Sequence, residues 1–223
     1  TRGARLAAQQ LRGRRRWSIA IYRQEAPGKP FGPPAEVEPA PTGTYHADPI
    51  LYRDPHTGIA YCFVEEVDES TKRGHVAVLR EANGRWDRVG VALEESFHLS
   101  FPFLFRFDGK LYMCPEAGAS DEIRVYRCTG FPLRWELEAV LMRGVSATDT
   151  ILVPHAGHWW MLTNIDRAIL PDHQSELHLF RSDSPLGTDW QPVGDNPVKV
   201  DCHGARNGGL EIDSGRLYRF GQV

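Results

Sequence analysis

The feature that most limits how this chain can fold is an internal repeat. Four segments line up: "HADPILYRDPHTGIAYCFVEE", "LSFPFLFRFDGKLYMCPEA", "ATDTILVPHAGHWWMLTN" and "GARNGGLEIDSGRLYRFGQ". Each opens on a polar or special position and continues into a short apolar run. A turn follows at Asp54–Gly58, Asp108–Gly109, His155–Gly157 or Asp213–Gly215. An aromatic-rich run then centres on Tyr61, Tyr112, Trp160 or Tyr218. Short runs joined by Asp-Gly-type turns are hairpin signals.

A third strand is expected in "HVAVLR", "EIRVYRC" and "ELHLFRS", and a fourth after Trp86, Trp135 and Trp190. Four short strands every roughly 50 residues is the pattern of a β-propeller blade. Hairpins stacked in a sandwich are the alternative, and the regular Trp in one strand argues against it. The fold class read here is therefore all-β: a propeller of four-stranded blades over 17–223, five-bladed when complete. Three blades are whole, and the fourth stops after its second strand, so the natural chain is expected to continue past Val223. "RWSIAIYRQ" reads as an outer strand that closes the ring on the last blade. Residues 26–43, with six prolines, read as an extended linker. Residues 1–16 read as a basic helix or linker.

Composition narrows the function classes. Charged residues make up 25% and the net charge is −3, which gives no general case for nucleic-acid binding. The local exception is Arg2, Arg5, Arg12, Arg14, Arg15 and Arg16, read as a solvated basic stretch or a dock for an acidic surface. No apolar run is long enough to span a bilayer. Cys62, Cys114, Cys128 and Cys202 lack CxxC spacing, which favours reduced thiols and a cytoplasmic setting over a zinc site. No nucleotide or nucleophile-elbow motif appears. No cofactor is expected. A calcium ion on the axis is compatible with such a fold but has no motif behind it.

The repeat also predicts a site. In a blade the first strand lies nearest the axis and the second runs antiparallel to it. The start of strand one and the end of strand two therefore share one rim. Strand-one starts supply His46, Asp48, Asp149 and Arg206, with Phe101 at the matching place in the second unit. Four residues past each strand-two aromatic stand Glu65, Glu116, Asn164 and Gln222. Together they would form a polar mouth. Glycosidic cleavage needs two carboxylates, one as acid and one as base or nucleophile. Asp48 and Glu116 are the candidate pair, with Asp149 orienting. His46, Glu65, His98, Asn164, Arg206 and Gln222 are candidate substrate contacts. Each has a structural alternative: Asp48 as a turn cap, Glu65 and Glu66 as a solvated strand end, Glu116 as a turn acid, Asp149 as an anchor between blades, Arg206 as a purely structural cation, and His46, His98 and His203 as packing residues.

The stretches "HADPILY", "AYCFVEE", "GHVAVL", "ALEESFHLSFPFLFRFDGKLYMCPE", "SDSPLGTDWQPVGDNPVKVD" and "LYRFGQ" together resemble the N-terminal propeller domain of the glucosamine inositolphosphorylceramide transferase family. That domain is similar to the five-bladed furanosidase propellers of glycoside hydrolases such as arabinanases. The resemblance implies a general-base role for Asp48 and, loosely, a third-carboxylate role for Asp149. Glu116 sits in a different blade from the hydrolase acid. In the family, sugar transfer belongs to a separate C-terminal domain, so a fused or partner catalytic domain is implied. Two functions remain open: a hydrolase-like enzyme acting on a glycan, and a non-catalytic glycan-recognition or scaffold module.

Overall fold

The computed structural model describes residues 17–24, 29–165, 175–213 and 215–222. The helix expected over 1–16 lies outside them. The N-terminal part contains three short strands: β1 (Tyr22–Gln24), β2 (Phe31–Pro34) and β3 (Glu36–Val37). Blade I comprises β4 (Thr44–Arg53), β5 (Ala60–Asp68), β6 (Gly74–Ala82) and β7 (Arg85–Leu93). Blade II comprises β8 (Ser100–Phe107), β9 (Lys110–Glu116), β10 (Glu122–Gly130) and β11 (Arg134–Arg143). Blade III has β12 (Ala147–His155), β13 (His158–Ile165) and β14 (Glu176–Ser182), followed by the two-residue pieces β15 (Gln191–Pro192) and β16 (Lys199–Val200). A hairpin of β17 (Asn207–Asp213) and β18 (Arg216–Gly221) completes the set.

Within each blade the strands pair in chain order, each antiparallel to the last. The inner strands β4, β8, β12 and β17 touch in succession, which arranges the sheets radially. The chain is thus an all-β propeller of repeated four-stranded units. Turn chemistry fixes the hairpins. Asn83–Gly84 and Asp108–Gly109 both hold positive φ at the two central positions, the turn whose twist matches the flanking strands.

Packing between sheets explains why strand two reads as a continuous apolar run. In β5, Tyr61 and Phe63 face blade II, while Ala60, Cys62 and Val64 face the N-terminal segment. Alternate side chains of one strand point to opposite faces, and here both faces are covered. Between blades I and II, Phe63 meets Trp135 edge-on with ring centroids 5.8 Å apart. Between blades II and III, Phe105 stacks on Tyr112 and meets Trp159 at 5.5 Å. Trp86, Trp135 and Trp190 are all buried, as the repeat predicts. Trp159 lies in the core, and Trp160, on the other face, donates to the His155 carbonyl. The four cysteines are free thiols. Among the described residues no helix is long and apolar enough to cross a membrane.

Three expectations need correction. Residues 17–24 do not pair with the last hairpin: β1 pairs with β2, and Ile19 and Ile21 pack on the outer face of blade I. The proline-rich stretch is more than a linker, because it supplies β2 and β3, the latter running parallel to β7. The fourth strand of blade III is broken. Pro192 and Pro197 cannot donate to a ladder, and the Asn196 side-chain amide takes the place of backbone, bonding both N–H and C=O of Leu179 at 2.8 and 2.9 Å.

Phe63 is fully buried at the joint between blades I and II. Phe63→Ala is predicted to lower the unfolding free energy by about 3–5 kcal/mol. Urea denaturation checks this, and a loss under about 1 kcal/mol would mean that the joint is not a structural centre.

Candidate functional site

The site begins with a backbone irregularity repeated in three inner strands. The β4–β5 register shifts between Ala47 and Ile50, β8–β9 between Ser100 and Phe103, and β12–β13 between Thr148 and Ile151. Each shift is a bulge that re-aims the side chain it displaces. The displaced residues are Asp48, Phe101 and Asp149, with φ of 45°, 41° and 49°. Left-handed backbone is uncommon outside glycine, so three matching cases mark one architectural position. In the last hairpin Gly209 faces Phe220 as Ile50 faces Phe63. Asn207, not Arg206, therefore stands level with Asp48. Arg206 is one residue earlier, and its carbonyl accepts from the Gln222 amide.

Neighbouring units hold these bulges. The Asp48 carboxylate accepts from the Phe101 N–H of the next blade. Glu116 Oε2 accepts from the Asp149 N–H at 3.4 Å. Asn207 Nδ2 donates to the Asp149 carbonyl at 2.8 Å. Arg206 reaches the same place from the hairpin, its Nε 2.5 Å from Asp149 Oδ2. Asp48, Glu65, Glu116, Asp149 and Arg206 are thus one electrostatic cluster at the axial end of the sheets. Asp48, Glu65, Arg206 and Gln222 line a cavity of about 420 Å³, bounded on its other side by Trp17–Ala20.

Charge is unbalanced in this cluster. Burial, reinforced by the Glu65 and Asp149 carboxylates, raises Asp48 to about 6 against the pull of Arg206. Burial and the neighbouring Asp149 push Glu116 up to about 7. Asp149 is also raised by burial, with the Arg206 hydrogen bond opposing. One guanidinium does not neutralise four clustered acids, which favours the protonated forms of Asp48, Glu116 and Asp149 relative to free carboxyls. On its flank, His98 Nε2 sits 3.0 Å from Glu65 Oε1, and this contact raises the His98 pKa. His98 Nδ1 lies 3.0 Å from the Gly74 nitrogen and 3.3 Å from the Lys72 carbonyl oxygen. A Cβ on Gly74 would come within 2.6 Å of the Leu99 carbonyl and 2.9 Å of Glu65 Oε1, so only glycine fits beneath this pair.

Other candidates are engaged within the fold. His46 is buried and bonds Glu66 at 2.9 Å. Asn164 donates to the carbonyls of Glu176 and Ala205 and accepts from the Asn207 N–H. Gln222 lines the cavity while donating to the Asn207 carbonyl at 2.7 Å. Glu65 and Glu66 are not a solvated strand end, since both are buried. Sequence reasoning missed the cluster around Glu66, which binds His46, His75 at 3.0 Å and both Arg88 nitrogens at 2.8 Å. Burial alone would raise Glu66, but these bonds outweigh it and hold the carboxyl far below its usual range. Strand alternation was the available signal: adjacent Glu65 and Glu66 must face opposite sides. Among the described residues, metal-ligand geometry occurs at Asp201, Cys202 and His203, whose donor atoms lie within 4.8 Å of one another. That group is in the connection before β17, where Asp201 already pairs with Lys199.

The raised Glu116 pKa has a stability consequence. The folded state binds its proton more tightly than the unfolded chain. Stability is therefore full below the unfolded value of about 4.3 and is lost as pH rises through the folded one. Glu116→Gln is predicted to stabilise the fold by about 1–2 kcal/mol at pH 8 and to do little at pH 4.5. Denaturation at both pH values checks this, and an equal effect at each would contradict it.

With this geometry in hand, similar proteins can be placed. The family described as "Glucosamine inositolphosphorylceramide transferase 1, N-terminal" matches residues 35–223. Glucosamine inositolphosphorylceramide transferase 1 of Oryza sativa subsp. japonica is 39% identical over 181 residues, covering 79% of this chain and 24% of the relative. The Arabidopsis thaliana protein of that name is 36% identical over 79% of this chain and 23% of its own length. The chain thus spans about a quarter of these relatives. Among solved structures, an endo-arabinase from Bacteroides thetaiotaomicron VPI-5482 superposes with TM-score 0.68 at 14% identity, covering 90% of this chain and 79% of that one. An exo-β-1,3-galactanase from Phanerochaete chrysosporium gives 0.63 at 12% identity, over 80% and 44%. These likenesses show a shared fold. By the match over most of its length, this chain belongs to the glucosamine inositolphosphorylceramide transferase 1 N-terminal family.

Proposed function

We propose that this chain is a carbohydrate-active propeller whose mouth cleaves a glycosidic bond by paired-carboxylate chemistry. The observation that carries the reading is the environment of Asp48 and Glu116: two partly shielded acids in one cluster whose single guanidinium is ion-paired with Asp149. The step balances simply. A water attacks the anomeric carbon and gives a proton to the Asp48 carboxylate. The carbon–oxygen bond to the leaving sugar breaks, and that oxygen takes the proton carried by Glu116. Both carboxyls are raised, by burial first and by neighbouring acids second, which suits groups that must exchange a proton near neutral pH. Asp149 acts as a positioning residue, through its N–H on Glu116 and its grip on Arg206. Arg206, Glu65, Gln222 and His46, which line the cavity, contact the sugar hydroxyls, while His98 holds Glu65 and Asn164 supports the last hairpin from behind. The same reading takes the complete ring as five-bladed.

A second reading is favoured by one fact: the match takes in only about a quarter of the relatives' own length. On that reading the propeller recognises a glycan for an attached or partner enzyme. A hydrolysis screen on the full-length protein separates the two. The expected result is turnover that falls by about 10²-fold or more in Asp48→Asn and in Glu116→Gln. The pH profile should be bell-shaped, with limbs near 6 and 7, and the alkaline limb should disappear in Glu116→Gln. Turnover untouched by either substitution overturns the catalytic reading. Glycan binding without turnover supports the recognition module.

A further inference from the structure

We propose that the N-terminal strap, residues 17–20, forms the far wall of the glycan groove, and that Trp17 is a stacking platform for a sugar ring one or two units from the acids. This inference rests on the glycan reading of the mouth. A second cavity, of about 320 Å³, lies against the first. Both are lined by Trp17, Ser18, Ile19, Tyr45 and His46, so they adjoin along the strap. One leads to Asp48 and Arg206, the other runs out past Val37 to Ala40. Asp48 and Glu65 thus line one of two adjoining cavities, and Trp17 and Tyr45 line both.

The strap is anchored rather than draped. Ile19 and Ile21 pack on the blade I cluster of Cys62, Val64 and Leu79, and the Ala35 N–H donates to the Ile21 carbonyl at 2.8 Å. Yet Trp17, at the same end, is 71% exposed. An indole gains about 2 kcal/mol or more when it leaves water. Left open beside a cavity that also holds Asp48 and Arg206, it is a surface for a flat, partly apolar ligand. A pyranose or furanose ring fits that description, with C–H groups on its face and hydroxyls on its rim. The carboxylates and Arg206 meet the rim, and the indole meets the face. The strap also precedes residue 35, where the family match begins. The platform stands where it would set chain-length preference.

The test is calorimetric titration of the full-length protein with mono-, di- and trisaccharides of galactose, arabinose, glucose, mannose and glucosamine. Trp17→Ala should weaken the best-bound trisaccharide by about 10-fold, while its monosaccharide changes by less than about 2-fold. Trp17→Phe should recover most of the loss. Equal affinities in Trp17→Ala and the parent at every length overturn the platform, as does an equal loss at all lengths. Arg206→Met is the control for the mouth. If it abolishes binding and Trp17→Ala changes nothing, only the strap proposal falls. If no sugar binds the parent protein, the glycan reading falls and takes the strap with it.

Discussion

Each inner strand of this ring has to do two incompatible things at one point. It must wall a hydrophobic joint, which requires strict alternation, and it must turn a chosen residue toward the axis, which breaks alternation. The bulge at Asp48, Phe101 and Asp149 resolves the conflict by adding a residue in left-handed backbone. Such positions cost on the order of 1–3 kcal/mol each for non-glycine residues. They persist because the next unit holds them. Asp48 of blade I caps the N–H at the blade II bulge, and Glu116 of blade II caps the one at blade III. The residues proposed to do chemistry are thus also the ones that fasten one bulge to the next. The site exists only when the sheets are docked, and its strain is offset by the apolar joints around Phe63 and Phe105.

Two shielded glutamates show how partners, not burial, decide the fate of a carboxyl. Glu66 faces Arg88 and two histidines, and is held ionised. Glu116 faces one backbone N–H, two other acids and a guanidinium already paired with Asp149, and is held protonated toward neutral pH. Both are glutamates near the end of a second strand. The first is a structural rivet that ties β4, β5, β6 and β7 together. The second is pushed toward its protonated form. Such a split between like groups is what acid–base work requires.

The repeat was legible because its punctuation is physical: Asp-Gly turns demand positive φ, and a Trp in the same outer strand fills the same joint. Asp48, Glu116 and Asp149 could be gathered from sequence because strand start and strand end share a rim. Arg206 was assigned one position off, because a bulge inserts a residue without any mark in the hydrophobic pattern. Arg88 was invisible for a related reason. It meets Glu66 only through the pairing of four strands, and no local spacing encodes that register. The strap was misread since "RWSIAIYRQ" has the alternation of a strand, while its partner surface, blade I or the last hairpin, depends on tertiary packing. The outer strand of blade III failed for the opposite reason: Pro192 and Pro197 forbid a ladder that the repeat alone implied.

A recognition module and an enzyme make different demands on this mouth. A protonated acid can serve either, as a hydrogen-bond donor to a sugar oxygen or as a source of the proton itself. A module would gain by replacing Glu116 with its neutral isostere, which donates without a titration penalty. The carboxyl here is expensive to keep: it stands beside Asp149, shares one cation with it, and is capped by a strained backbone N–H. Chemistry that must both hold and release a proton has no such substitute. On the proposed reading, then, the acid serves proton exchange, and the exposed indole of the strap serves a glycan longer than a single sugar.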